Sequence, residues 1–468
     1  MDDLIREEEL LIGGEWVPAE GNEREVESPA TEQTVGLTRD AGSAQVDAAV
    51  QAAHAALNGW ASRSAEERAV VLENIADALE AEAERFAGLI TAELGTPAPL
   101  ARSLHVDVPA SVIRRTIEAL RDYSFSSVIG NSHVVQQPTG VLAAITPWNL
   151  PLHQIVVKIV PAIAAGATVV LKPAALTPLT AYALARLMHE NGLPAGVLNI
   201  VTGSGASIGE QLIEHPLVRH VSFTGSTEVG RKVGARAAAA VKRVTLELGG
   251  KSPSVVLSDV DDATLVKAVK LTVANCYLNS GQTCTALTRL VVPESRLAEA
   301  ERIAAESAAK YLPGGRLGPL ASASQRESVS AFLSEEATLG ARDLGPSVEL
   351  PQRGYYVAPH VFTRVEPHAR IAREEIFGPV LSILTARDDA EAVSIANDSE
   401  YGLAAAVWSG SEEHAVEVAR EIQAGQVDVN GGAFNTGAPF GGFKNSGIGR
   451  EIGLYGIADV LETKSIQL

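Results

Sequence analysis

The sequence predicts an α/β protein in which a doubly wound, Rossmann-like parallel sheet is followed by a second α/β unit, and three observations predict it. Short, continuous apolar runs alternate with helical stretches from Val141 to Leu248, the pattern of strands covered on both faces. A second alternation of the same kind begins after Leu248 and reaches Val429. At 468 residues with 41 glycines, the chain has length for about three units of roughly 150 residues and glycine for many tight strand-to-helix turns.

In chain order, residues 11–17 and 25–35 read as short strands, with Gly13-Gly14 and Ser28-Pro29 as turns. From 45 to 93 apolar residues recur at helical spacing, as in Val46, Ala49, Val50 and Ala53, which predicts packing helices with solvated charges. The first sheet follows: strand 141–145, helix 152–165, strand 168–171, helix 178–190, strand 197–201, a helix from Ala206, strand 218–223, a helix from Ser226 and strand 244–248. Sheets wound this way bind ligands at the carboxyl ends of their strands. The second unit contains strand 255–257, a helix carrying Cys276, strands 290–292 and 381–384, a helix at 390–396, and strands 404–408 and 427–429. No internal repeat or low-complexity linker interrupts the pattern.

Composition narrows the function. A net charge of −19, with no Lys/Arg cluster interleaved with aromatics, argues against nucleic acid and against an anionic membrane surface. The most apolar stretch, 159–171, contains Pro161 and Gly166 and is too short to span a bilayer. The opening Met1-Asp2-Asp3-Leu4-Ile5-Arg6-Glu7-Glu8-Glu9 is acidic where a signal peptide is basic, so a soluble cytoplasmic protein is expected. The two cysteines, Cys276 and Cys284, form no C-x-x-C pair, and neither a disulfide framework nor a metal site is expected. Cys276 lies in an apolar helical run and is assigned to packing.

Cys284 is different. Asn279-Ser280-Gly281-Gln282-Thr283-Cys284-Thr285 puts it in a polar, Gly-containing turn. By itself such a thiol reads first as an inert buried group and only second as a nucleophile. Three strand ends bear on the choice. Phe223-Thr224-Gly225-Ser226-Thr227-Glu228-Val229-Gly230 closes a strand and opens a helix, whose first amides suit a pyrophosphate; it is not a Walker A loop. Leu246-Glu247-Leu248-Gly249-Gly250 puts a carboxylate among apolar neighbours, where its pKa should rise toward that of a useful base. Thr146-Pro147-Trp148-Asn149 offers a side-chain amide at a third strand end, or simple turn chemistry. Gly203-Ser204-Gly205 with Gly209 is one residue too long for a dinucleotide fingerprint, and a tight turn explains it as well.

Taken in order, Pro147-Trp148-Asn149, Lys172-Pro173, Phe223 to Gly230, Glu247 to Pro253, Gly281 to Cys284, Glu374-Glu375-Ile376-Phe377-Gly378-Pro379 and Pro439-Phe440-Gly441-Gly442 to Gly449-Arg450-Glu451 resemble the aldehyde dehydrogenase superfamily over nearly the whole chain. The resemblance implies an NAD(P)-binding domain (1–119 and 139–247), a catalytic domain (248–445) and a small β bridging element for oligomerisation (120–138 and 458–468). It implies that Cys284 attacks the aldehyde, that the Asn149 side chain and the Cys284 backbone N–H hold the oxyanion, and that Glu247 activates water to release the acid from a thioester. A helix N-terminus and the cofactor's positive charge are expected to lower the thiol pKa.

By motif matching, Thr146, Trp148, Lys172, Ala175, Gly205, Gly225, Ser226, Val229, Leu248, Glu375 and Phe377 form the cofactor site. In it Lys172 serves the adenine ribose, Ser226 the pyrophosphate, and Glu375 with Phe377 the nicotinamide end. Many NAD-preferring members carry Glu where this chain has Ala175, so NAD leads and NADP stays open. Leu150, His153, Gln154, Val157, Leu278, Thr283, Thr285, Phe434 and Phe440 are expected to line the aldehyde tunnel. No Arg stands among them, against a dicarboxylic semialdehyde. Segments 132–137 and 458–467 would be bridging strands of a homodimer or homotetramer. Glu451 and Glu462 are expected to be structural, with Glu451 able to assist water activation. A cysteine-dependent thioester hydrolase or acyltransferase without redox is the nearest rival, but it needs a His base that the sequence does not identify. A CoA-acylating enzyme fits Glu247 less well, and a non-catalytic dinucleotide-binding protein would not need thiol and carboxylate together.

Overall fold

The computed structural model describes residues 4–468, apart from the side chains of 335 and 336; the opening Met1-Asp2-Asp3 lies outside them. Strands Val141–Ile145, Thr168–Lys172, Leu198–Ile200, Val218–Thr224 and Arg243–Glu247 form a parallel sheet. Numbered one to five in chain order they lie 3-2-1-4-5. Strand order therefore reverses between Val141–Ile145 and Val218–Thr224, which pair directly, and the crevice beyond their carboxyl ends is where such sheets bind ligands. Val141–Ile145 is buried at every position, and its alternate residues feed different cores. Leu142 and Ala144 join one apolar cluster, while Val141, Ala143 and Ile145 join another, as the period of two requires.

A sixth strand of this sheet comes from far along the chain. Gly447–Ile448 pairs antiparallel with the end of Arg243–Glu247, setting Gly447 opposite Glu247. The sequence reading did not contain this strand.

The second sheet has the order Arg342–Asp343, His360–Thr363, Val380–Ala386, Arg289–Pro293, Pro253–Val256, Ala404–Trp408, Gln426–Val429. It is parallel except at its first pair. The same alternation holds: Val255, Val291 and Val407 face one core, and Val256, Leu290, Val292 and Trp408 face the other.

A third sheet joins Leu461–Gln467, Ser132–Pro138 and Ser126–Ile129 antiparallel. The expected strand at 458–467 begins late, because Gly453–Asp459 is a helix that buries Ile457. The N-terminal segment forms a hairpin of Glu9–Ile12 with Glu15–Pro18 and a separate three-stranded sheet in the order Ile5–Glu7, Gln33–Arg39, Glu23–Ser28. The helix expected from Ala206 starts as a π turn, Gly205–Gly209, before Glu210–Glu214. No helix among the described residues is long and apolar enough to cross a membrane.

Candidate active site

The turn that carries Cys284 is built under strain and tied at several points. The helix Asp262–Cys276 starts where the Asp261 carboxylate accepts the Thr264 N–H at 2.7 Å, an N-cap that satisfies an otherwise free amide. At its end Asn279 (φ 50°), Ser280 (φ 59°) and Gly281 (φ 76°) are left-handed in succession, which costs of order 1–3 kcal/mol at each residue with a side chain. Side-chain bonds offset that cost. Asn279 Nδ2 donates to the Asn149 carbonyl at 2.8 Å, and Ser280 Oγ to the Gly318 carbonyl at 2.8 Å. Gln282 accepts the Ala321 N–H at 2.8 Å and donates to the Pro319 carbonyl at 3.3 Å. Gly281 backs onto the Gly378 carbonyl so closely that a β-carbon would collide with it.

Cys284 lies in a turn, as expected, but no helix begins there to lower its pKa; its sulfur faces its own amide and that of Thr285. Burial, with Glu375 and Glu247 nearby, pushes the thiol up to about 12, and the two amides pull the other way. Cys276 is fully buried and also pushed up to about 12 by burial, in keeping with a packing role.

Glu247 ends its strand buried, and neither carboxylate oxygen has a hydrogen-bond partner among the described residues. Burial first and Glu451 second hold its carboxyl well above the ordinary range, with Lys158 opposing. Glu451 arrives just after the sixth strand and forms a buried ion pair with Lys158 Nζ at 2.7 Å. The other carboxylate considered, Glu462, is exposed and paired with Arg243 at 2.6 Å. Asn149 is buried, and its Nδ2 donates to the Gln282 carbonyl at 3.0 Å, which leaves its second amide hydrogen uncommitted by that bond.

Two cavities meet at the sulfur. One, of about 270 Å³, is lined by Leu150, His153, Gln154, Leu278, Thr283, Thr285, Phe434 and Phe440 among the residues named from sequence. Val157, one turn beyond His153, packs instead in the apolar core. His153 is held neutral by burial, which pushes it down to about 4, and its ring meets Phe434 edge-on at 6.4 Å. Sequence reading missed Leu104, inside the π turn Ser103–Asp107, Val108, which follows it, and Asn275, Gln426 and Asp428. An acid between Val427 and Val429 was the one legible signal for Asp428.

The other cavity, of about 210 Å³, holds Trp148, Asn149, Gly225, Ser226, Leu248, Glu375 and Phe377. It opens at the strand reversal. Phe377 is left-handed (φ 60°) and its ring stands edge-on to Trp148 at 5.4 Å. Glu375 accepts the Gly250 N–H at 3.1 Å, and burial pushes it up to about 7. Gln325 lines this cavity and was not foreseen.

Five residues named from sequence lie outside that lining. Thr146 follows the first strand, its N–H donating to the Lys172 carbonyl at 3.2 Å. Lys172 ends the next strand, with Nζ on the Pro173 carbonyl at 2.8 Å and burial pushing it down to about 8. Ala175 lies on an exposed turn, Gly205 opens the exposed π turn, and Val229 sits exposed on the first turn of the helix that Ser226 caps.

A parallel sheet with a crevice at its strand reversal, and a second cavity that meets it at Cys284, define an α/β protein with a two-chambered, cysteine-centred site. The chain belongs to the aldehyde dehydrogenase family, whose model matches residues 16–466, and is an oxidoreductase of that class. It is similar to a 3-succinoylsemialdehyde-pyridine dehydrogenase of a Pseudomonas species, 44% identical over 98% of each chain. It also resembles the solved structure of a Cys-to-Ala mutant of aldehyde dehydrogenase C from Pseudomonas syringae, complexed with NAD+ and octanal. That match is 42% identical, with a TM-score of 0.95, and covers 98% of this chain and 96% of the other. An NADP-dependent enzyme of E. coli matches at 36% identity and TM-score 0.93, covering 99% of this chain and 98% of the other.

Proposed function

We propose that the protein oxidises an aldehyde to its carboxylic acid through covalent catalysis at Cys284, with Asn149 and Glu247 as its partners. One observation carries the reading: Cys284 is the residue common to the linings of both cavities. An aldehyde entering from one side and a cofactor from the other would meet at the sulfur. Once its proton has passed to solvent, the Cys284 thiolate attacks the carbonyl carbon and forms a thiohemiacetal, whose oxyanion takes hydrogen bonds from Asn149 Nδ2 and the Cys284 N–H. Two such donors stabilise charge that appears only as the bond forms. A nicotinamide dinucleotide, when bound, supplies the hydride acceptor that takes the thiohemiacetal to a thioester. Glu247, with a raised pKa and no partner of its own, then takes a proton from the water that cleaves the thioester.

The residues around the second cavity fit that cofactor. Ser226 caps a 13-residue helix, whose N-terminus suits a pyrophosphate, and Glu375 stands ready for a ribose hydroxyl. NAD is the proposed cofactor. NADP stays open because Ala175 offers no carboxylate to repel a 2′-phosphate, and kcat/KM with each dinucleotide decides between them. Residues 1–119 with 139–247 form the proposed cofactor domain, 248–445 the catalytic domain, and 120–138 with 458–468 the bridging element. Val128 and Ile129, 65% and 68% exposed on the outer strand of the third sheet, support a homodimer or homotetramer, which the solution mass tests. Two unpaired cysteines suit the cytoplasm.

The central test follows NADH absorbance on mixing enzyme, NAD and an aldehyde without CoA. Wild type produces NADH, and Cys284→Ala binds the dinucleotide but produces none. A fully active Cys284→Ala protein overturns the proposal.

A further inference from the structure

The aldehyde-side cavity has one formally charged side chain among its lining residues, and it is an acid. Asp428 lies inside the edge strand Gln426–Val429, between two valines, where an apolar residue would serve the sheet better. Its carboxylate accepts a hydrogen bond from Gln426 Nε2 at 2.9 Å, and no Lys, Arg or His among the described residues forms an ion pair with it. Lys267, on the nearby helix, is turned elsewhere. Its Nζ donates to the Asn430 carbonyl at 2.9 Å and lies over the Trp408 ring at 5.8 Å. Burial pushes the Asp428 carboxyl upward, as expected of an acid that lacks a cation.

Asp428 also lines an adjoining cavity of about 280 Å³ that includes Trp408, and Asn275 and Leu278 are shared by both. The carboxylate thus stands where one chamber passes into the next. A ligand that starts at Cys284 and fills the first chamber meets it on the way to the second.

We propose that Asp428 sets the substrate class: the preferred aldehyde carries, at its far end, a cation or strong hydrogen-bond donor, in the simplest case a protonated amine, that pairs with this carboxylate. The proposal rests on the reading of Cys284 given above and adds the chemistry of the tail. A partly buried acid without a cation gains a charge-assisted bond when such a tail arrives, while a carboxylate tail meets like charge. The net charge of −19 adds a long-range field that draws cations toward the surface.

Equilibrium binding of n-hexylamine, n-hexanol and hexanoate to the wild-type protein tests the subsite without turnover. The protonated amine is expected to bind at least about tenfold more tightly than hexanoate. Asp428→Asn should bring that ratio close to one, and Asp428→Lys should invert it. In turnover, an ω-amino aldehyde should exceed the ω-carboxy aldehyde of equal length in kcat/KM, chiefly through KM. Equal binding of amine and hexanoate by wild type overturns the proposal without any variant, and so does an unchanged ratio in Asp428→Asn. An amine preference that depends on Asp428, in a protein that makes no NADH from any aldehyde, supports the subsite and overturns the thiol chemistry instead.

Discussion

Gly250→Ala is the most searching test of how the nucleophile is held. A β-carbon on Gly250 would overlap the carbonyl oxygen of Cys284, and Leu403 Cβ stands 3.3 Å from the same point. Rotation of the peptide does not relieve the overlap freely, because the Gly250 N–H is committed to Glu375 at 3.1 Å. Van der Waals contact therefore requires the Cys284 main chain to retreat by about 1 Å. Overpacking of this kind costs about 1–3 kcal/mol of stability, which a folded protein of this size tolerates. A misplacement of about 1 Å at reacting atoms costs on the order of 10²-fold in rate. The variant should therefore fold, with a lowered Tm, and lose about two orders of magnitude in kcat/KM for any aldehyde. NADH formation, thermal unfolding and the rate of thiol alkylation should be measured together. A variant that keeps wild-type kcat/KM, or one that loses activity only in proportion to unfolded protein, refutes the reasoning.

Glu247→Gln should slow thioester release by about 10²–10⁴-fold, leaving a burst of NADH followed by a slow steady rate. The same change should stabilise the protein at alkaline pH. The folded carboxyl keeps its proton to a higher pH than the unfolded chain does, so stability is lost as pH rises from the ordinary carboxylate range through the raised value. A Tm above wild type near pH 8, with the gain vanishing near pH 4, is the expected result in calorimetry. Ala175→Glu should lower kcat/KM with NADP by about 10–100-fold while sparing NAD, and unchanged selectivity would remove Ala175 from the ribose site. Gly88, in the helix Ala83–Leu94, has nothing within 4 Å of where a β-carbon would sit. Gly88→Ala should raise stability by about 0.5–1 kcal/mol in denaturant unfolding, and a loss would contradict the open space described.

Both sheets were legible because strands buried on both faces read as unbroken apolar runs. Val141–Ile145 and Ala404–Trp408 fall where hydrophobicity alone puts them. Residues that follow such strands, Trp148 and Asn149 or Gly225 and Ser226, inherit their place at the crevice from the topology. Elements fixed by distant contacts were not legible. Gly447–Ile448 is two residues long in a glycine-rich stretch that reads as loop, and its strand character exists only opposite Glu247. The π turn at Ser103–Asp107 depends on packing that no spacing rule encodes, and it decides that Leu104 and Val108 reach the aldehyde cavity. Val157 shows the opposite case, packing in the apolar core, since sequence neighbours of site residues need not share their direction.

The pairing of Gly447 with Glu247 spans 200 residues, and its consequence is one of timing. During synthesis at about 5–20 residues per second, strand Arg243–Glu247 waits roughly 10–40 s for the segment that covers its open edge. Over that interval Glu247 also lacks Glu451, which arrives with the same segment. In the same interval the nascent chain exposes an unpaired strand edge that invites association with other chains.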